Sequence, residues 1–221
     1  MYKYVLFDLD GTLTDPQDGI LKCIAYALER LETSVPDRRT MLSFIGPPLF
    51  DTFTSYFGFD AEKAELAIKY YRERFSTVGL YENSVYDGVH EMLASLKKNG
   101  AVLALATSKP EAFAVKIADH FGMSQYFDLI VGATMDGSLS QKKDIIDRAL
   151  SLLCVTDKSQ CVMVGDRKHD AMGAHACSIR CIGVLYGYGS RRELTGCGVD
   201  ALAIDCRELE ALLTEYHQAQ V

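Results

Sequence analysis

The sequence predicts an α/β fold: a mostly parallel sheet covered on both faces by helices, with a helical insert after the first strand. Three observations carry this expectation. Short apolar runs of strand length recur along the chain, and stretches with an apolar period of 3.6 separate them. Residues 15–83 break the alternation, because they hold two long amphipathic stretches and no convincing strand. Strand, helix, strand repeated in this way implies parallel strands joined by crossover helices that bury both sheet faces.

Residues 4–7, Tyr-Val-Leu-Phe, are the first run and read as a buried strand. The insert follows directly. Its first helix is read through Ile20, Ile24, Ala27, Leu28 and Leu31, and its second through Ala64, Ala67, Ile68, Tyr71 and Phe75, with Gly46-Pro47-Pro48 as a rigid turn between them. Tyr70, Tyr71 and Phe75 are expected to pack as the insert's core. Beyond it, Val89, Met92, Leu93 and Leu96 mark a helix that stops at Gly100. The next strand is expected at residues 101–106, followed by Ser108-Lys109-Pro110 as an N-cap with proline in the first turn of a helix through Phe113, Ile117 and Phe121. Further strands are expected at 127–131, 161–164, 181–185 and, more weakly, 201–204, and a helix through Ile145, Ile146, Ala149, Leu150 and Leu153.

Composition bounds the function. A chain of 221 residues is one domain, or one core with a smaller insert. Its 48% hydrophobic and 24% charged residues exclude disorder, collagen and coiled coil. No apolar run approaches the ~20 residues that span a bilayer, and two aspartates arrive by residue 10, before a signal-type stretch could form. A cytoplasmic protein with no membrane partner is expected. The net charge of -7 repels phosphate polymers, so no nucleic-acid polymer is expected as a partner. The seven cysteines contain no C-x-x-C pair and read as reduced, small buried hydrophobes, and Cys177 and Cys181 lack the second pair a zinc set needs. His90, His120, His169, His175 and His217 are scattered over expected helices, and Arg191 and Arg192 are expected to face solvent.

The polar residues of interest fall where the expected strands end, and in an open parallel sheet ligands bind beyond those carboxyl ends. Asp8 and Asp10 follow the first strand with a spacing that points both the same way if the strand persists, and Gly11-Thr12 lets the chain turn. Asp166 and Asp170 follow the strand at 161–164. If these two strands are neighbours, three or four carboxylates share one mouth, and like charges that close need a cation or raised pKa values. An all-oxygen cluster with an open side suits Mg²⁺. Thr107 and Ser108 end another strand, where hydroxyls and helix-start amides favour an anion. Lys142 and Lys143 stand in the first turn of a helix, where positive charge opposes the macrodipole. Together these features describe a divalent cation and a phosphate in one pocket.

In order along the chain, Asp8-Leu9-Asp10-Gly11-Thr12-Leu13, Thr107-Ser108, Lys142, and Gly165-Asp166 with Asp170 resemble the four motifs of the haloacid dehalogenase superfamily. The insert, with Phe44-Ile45-Gly46-Pro47-Pro48-Leu49, looks like the helical cap of the phosphoglycolate phosphatase and 5′-nucleotidase-like branch. The resemblance implies a three-layer Rossmann-like core, residues 1–14 and 84–221, and a small all-helical cap at 15–83. It also implies a Mg²⁺-dependent phosphatase acting on a small phosphate ester such as phosphoglycolate, a nucleoside monophosphate or a sugar phosphate. Asp8 would be the nucleophile and Asp10 the general acid and base. Asp8, the carbonyl of Asp10 and Asp166 would hold the metal, with Asp170 behind them. Leu9, Asp10, Thr107, Ser108 and Lys142 would bind the phosphoryl group. Lys142 is chosen over Lys143 because the family's lysine precedes one variable residue, an acid and two aliphatics, as in Lys143-Asp144-Ile145-Ile146. Lys22 and Arg39 are candidates to reach substrate from the insert. A metal-free dehalogenase would not need Asp10. A sugar phosphomutase shares all four motifs, and a non-catalytic regulatory protein would be expected to have lost one.

Overall fold

The computed structural model describes residues 1–46 and 48–215, so Pro47 of the expected turn and His217 lie outside the described residues. The chain separates into two compact units, Met1–Asp15 with Val85–Val221, and Pro16–Ser84.

The first unit is built on six parallel strands in the order β5-β4-β1-β6-β7-β8: β1 (Tyr4–Phe7), β4 (Val102–Pro110), β5 (Leu129–Ala133), β6 (Cys161–Gly165), β7 (Arg180–Val184) and β8 (Ala201–Ala203). β1 lies between β4 and β6, with Tyr4 opposite both Val102 and Cys161. Val5, Leu6 and Phe7 are wholly buried, as a central strand flanked on both faces requires. The covering helices are α5 (Val89–Lys98), α6 (Glu111–His120), α7 (Lys142–Leu152), α8 (Lys168–Ala176), α9 (Arg191–Gly196) and α10 (Cys206–Thr214). One core cluster joins Leu6, Ala104, Val131 and Met163 of the sheet to Ile145, Ile146, Ala171 and Ala174 of α7 and α8. Two short strands, β2 (Thr14–Asp15) and β3 (Ser84–Val85), pair where the chain passes between the units.

The second unit is helical. α1 (Gln17–Arg30) packs on α4 (Ala61–Arg74), with short α2 (Arg38–Leu42) and α3 (Leu49–Asp51) and wider π-type turns at Thr52–Tyr56 and Phe75–Gly79. Ile20, Ile24, Ala27, Leu28, Ala64, Ala67, Tyr71 and Phe75 are buried, and Tyr70 is half-buried beneath the Arg30 guanidinium.

Two expectations are corrected. β4 continues through Pro110, α6 begins at Glu111, and no side chain caps it, so Ser108-Lys109 is strand and not an N-cap. Proline restricts the residue before it to extended backbone, which keeps Lys109 in the strand, and the register against β5 shifts between Thr107 and Pro110. Second, Cys154 is exposed and Cys197 half-buried, although the described cysteines are all free thiols. Cys154 takes the left-handed turn (φ 51°) that ends α7, a surface position.

Candidate active site

The first motif is a tight turn on the end of β1. Asp8 N–H still bonds to Val164 of β6 at 2.9 Å, and then the carbonyl of Leu9 accepts from Thr12, Leu13 and Thr14 within 3.2 Å. The Leu9 amide donates to Asp8 Oδ1 at 2.8 Å. Gly11 has φ 81°, and any Cβ there would run into the carboxylate of Asp166. A glycine at this position therefore serves both the left-handed turn and the approach of the two motifs.

Because β1 and β6 are neighbours, Asp8, Asp166 and Asp170 converge, with one oxygen of each lying within 4.8 Å of the others. Among the described residues, no histidine or cysteine joins this group. Lys142, at the start of α7 and only 5% exposed, lies between two of its members: Nζ is 3.0 Å from Asp8 Oδ1, 2.9 Å from Asp170 Oδ1, and 3.1 Å from the carbonyl of Ala106. Burial alone would lower its pKa, but Asp170 and Asp8 hold it above the usual lysine range, so the ammonium stays charged. Lys143 is exposed and pairs with Asp147 at 2.6 Å. Asp170 also reaches back to the Arg167 amide at 3.1 Å, tying the carboxylate to the first turn of α8.

Burial, reinforced by Asp170 and Asp8, pushes the Asp166 carboxyl up to about 8. Burial likewise brings Asp170 to about 6 against the opposing pull of Lys142. Asp166 Oδ1 is enclosed with no hydrogen-bond partner, while Oδ2 accepts from the Tyr188 amide at 2.8 Å. A buried oxygen left unpaired beside two other carboxylates fits a bound cation. The donor set, all oxygen, is that of a hard divalent ion.

The end of β4 contributes a second group. Thr107 is buried and Ser108 exposed, and the Thr107 hydroxyl accepts from the Lys109 amide at 3.2 Å. The Lys109 side chain is 6% exposed, and its Nζ lies 2.6 Å from Asp10 Oδ2. Asp10 keeps 24% of its side chain open, yet its Oδ1 is enclosed without a hydrogen-bond partner. Burial raises its pKa above the usual range, with Lys109 the chief opposing influence.

Sequence reasoning missed Lys109, although its position two residues after Thr107 on one strand was a usable signal. It also missed the Tyr186-Gly187-Tyr188 loop. Tyr186 donates to the carbonyl of Thr12 at 3.0 Å, Tyr188 holds Asp166 through its amide, and the Tyr188 hydroxyl donates to Asp15. No local pattern marks such contacts, which span 22 residues or more. In the helical unit Lys22 is bound to Glu82 at 3.0 Å, and Arg39 is exposed.

A parallel sheet that gathers acidic residues over its central strands, with an insert after the first, is the frame of a hydrolase, here of the phosphatase class. The chain belongs to the haloacid dehalogenase-like hydrolases, whose family model matches residues 5–184. It is 46% identical over 193 residues to a 5′-nucleotidase of Pseudomonas aeruginosa, covering 87% of each chain. It is 43% identical over 187 residues to the tyrosine-protein kinase PtkA of Mycobacterium tuberculosis, covering 85% of this chain and 63% of that one. Its structure is similar to that of a predicted phosphatase from Clostridium acetobutylicum, with a TM-score of 0.92 and 44% identity over 98% of this chain and 100% of the other.

Proposed function

We propose that this chain is a Mg²⁺-dependent phosphomonoester hydrolase that acts on a small phosphorylated metabolite through an aspartyl-phosphate. The observation that carries this reading is the convergence of Asp8, Asp166 and Asp170 around one unpaired oxygen with Lys142 against them. Asp8, Asp166 and the carbonyl of Asp10 would hold Mg²⁺, with Asp170 behind them. When bound, the ion would neutralise the repulsion between the Asp8 carboxylate and the incoming phosphate.

Asp8 attacks phosphorus, the bond to the leaving oxygen breaks, and Asp10 delivers a proton to that oxygen. Water then attacks the acyl phosphate while Asp10 takes a proton back, which returns Asp8 and frees inorganic phosphate. Thr107 and the amides of Asp10 and Ser108 offer donors to the phosphoryl oxygens, and the Lys142 ammonium, held against Asp8, adds positive charge where the bond transfers. Residues 15–83 serve as the cap that selects the leaving group. Phosphoglycolate, a nucleoside monophosphate and a sugar phosphate are the candidate substrates, and the names of the relatives favour the first two.

Phosphate release from p-nitrophenyl phosphate with and without EDTA tests this reading, followed by ranking of an ester panel by kcat/KM. Activity is expected to need Mg²⁺, and Asp8→Asn is expected to abolish it. Asp10→Asn should give a burst of nitrophenolate on the order of one equivalent and then slow turnover, because this leaving group departs unprotonated while the second step lacks its base. Full activity of metal-free protein, or a burst that survives Asp8→Asn, overturns the reading.

A further inference from the structure

We propose that Lys109 is a positioning residue for Asp10: its ammonium clamps one carboxylate oxygen and so fixes the carboxylate in the orientation that proton transfer uses. The inference rests on the reading of Asp10 as general acid and base, and it adds a residue to that machinery which the four motifs do not contain.

The geometry divides the Asp10 carboxylate into two unlike oxygens. Oδ2 lies 2.6 Å from Lys109 Nζ. Oδ1 is enclosed and has no hydrogen-bond partner. A carboxylate free to rotate about its terminal torsion has no preferred working oxygen, because that torsion is broad. A charge-assisted contact on one oxygen removes the freedom and fixes the orientation.

Lys142 cannot serve this purpose, since its ammonium is already engaged by Asp8, Asp170 and the Ala106 carbonyl. Lysine is among the residues least often buried without a charged partner, and the Lys109 side chain, 6% exposed, finds its partner in Asp10, across from β4 on the turn after β1. The backbone enforces the placement. Pro110 keeps Lys109 extended, and the Lys109 side chain is buried as Thr107 is, with Ser108 between them exposed.

The test compares two leaving groups. An alkyl phosphate such as glycerol 2-phosphate needs a proton on departure, and p-nitrophenyl phosphate does not. Lys109→Met is expected to lower single-turnover cleavage of the alkyl ester by roughly 10²-fold and the nitrophenolate burst by less than about threefold. Substrate KM is expected to hold. In an Asp10→Asn background the same substitution should add no further loss on the alkyl ester, which a double-mutant cycle reads directly. Lys109→Gln, which keeps a donor, should recover part of the alkyl activity, and it replaces the methionine variant if circular dichroism shows that variant unfolded. Equal losses on the two substrates, or additive losses with Asp10→Asn, overturn the role of Lys109. If Asp10→Asn itself shows no dependence on the leaving group, the reading of Asp10 falls, and this inference falls with it.

Discussion

Asp166 is the residue at which burial of a carboxyl among other carboxyls costs stability. Its carboxyl is pushed up to about 8 by burial and by Asp170 and Asp8, whereas the ordinary value is 3.8. Without a cation, the folded protein binds that proton more tightly than the unfolded chain, so the stability linked to it is full below pH ~4 and is lost as pH rises through about 8. Asp170, brought to about 6, acts with the same sign. Metal-free protein is therefore expected to melt at a lower temperature at pH 8.5 than at pH 6. Asp166→Asn should raise the metal-free melting temperature at pH 8.5, by ~2–4 °C for each kcal/mol of repulsion removed. If Asp166 holds Mg²⁺ as proposed, Mg²⁺ should raise the melting temperature of the wild type and not that of the variant. Thermal melts of both proteins at the two pH values check this, and a wild type that is more stable at pH 8.5 without metal, with no gain in the variant, would count against it.

At the scale of elements, the helical unit is tied at its end by a charged contact between α4 and the segment before β3. Arg74 reaches Glu82 at 2.6 Å, with both side chains about four-fifths buried (21% and 23% exposed), and Lys22 of α1 adds a second cation at 3.0 Å. Arg74 holds the Glu82 carboxyl below its usual range. This contribution is present above the ordinary glutamate pKa and is lost as pH falls through the lowered one. Glu82→Gln should therefore destabilise by about 1 kcal/mol near neutral pH, because it leaves a largely buried guanidinium without its counter-charge. The difference from wild type should shrink in acid, as chemical denaturation followed at pH 7 and pH 3 would show. A variant as stable as wild type at pH 7 would mean that Lys22 and Arg74 are solvated without Glu82. The strands of the core illustrate another local rule. β4 outruns its apolar stretch because Pro110 forbids an earlier helix start, so the polar end of the strand, Thr107 to Lys109, stands over the site.

At the scale of the whole molecule, the two compact units are joined by two passages of chain only, next to β2 and β3. Exposed residues at both passages, Asp18 on one side and Tyr81 and Ser84 on the other, make them the expected first sites of limited proteolysis. Mg²⁺ with vanadate, a phosphate mimic, should slow cleavage at residues 14–18 and 80–84 if the insert responds to substrate. Gel bands mapped by mass spectrometry would report this, and cleavage indifferent to vanadate would speak for a fixed insert.

Much of this protein is written locally. Tyr-Val-Leu-Phe must be a buried strand, the aspartates must follow it, and the periods of 3.6 that mark α1, α4, α5 and α7 need no partner to be recognised. Pro110 shows the limit of such reading, since a proline suits the first turn of a helix and the end of a strand alike. What only the tertiary structure decided is which of these pieces meet. The strand order sets β1 between β4 and β6, and from that placement follow the convergence of Asp8 with Asp166 and Asp170, the ion pairs that Lys142 makes with Asp8 and Asp170, and the contact of Lys109 with Asp10. The Tyr188 amide against Asp166 likewise depends on a loop returning to β6. The reason is physical: backbone preference and apolar periodicity act over a few neighbouring residues, whereas a charge finds its partner through space, after the burial of the sheet has brought distant strand ends within a few ångströms of one another.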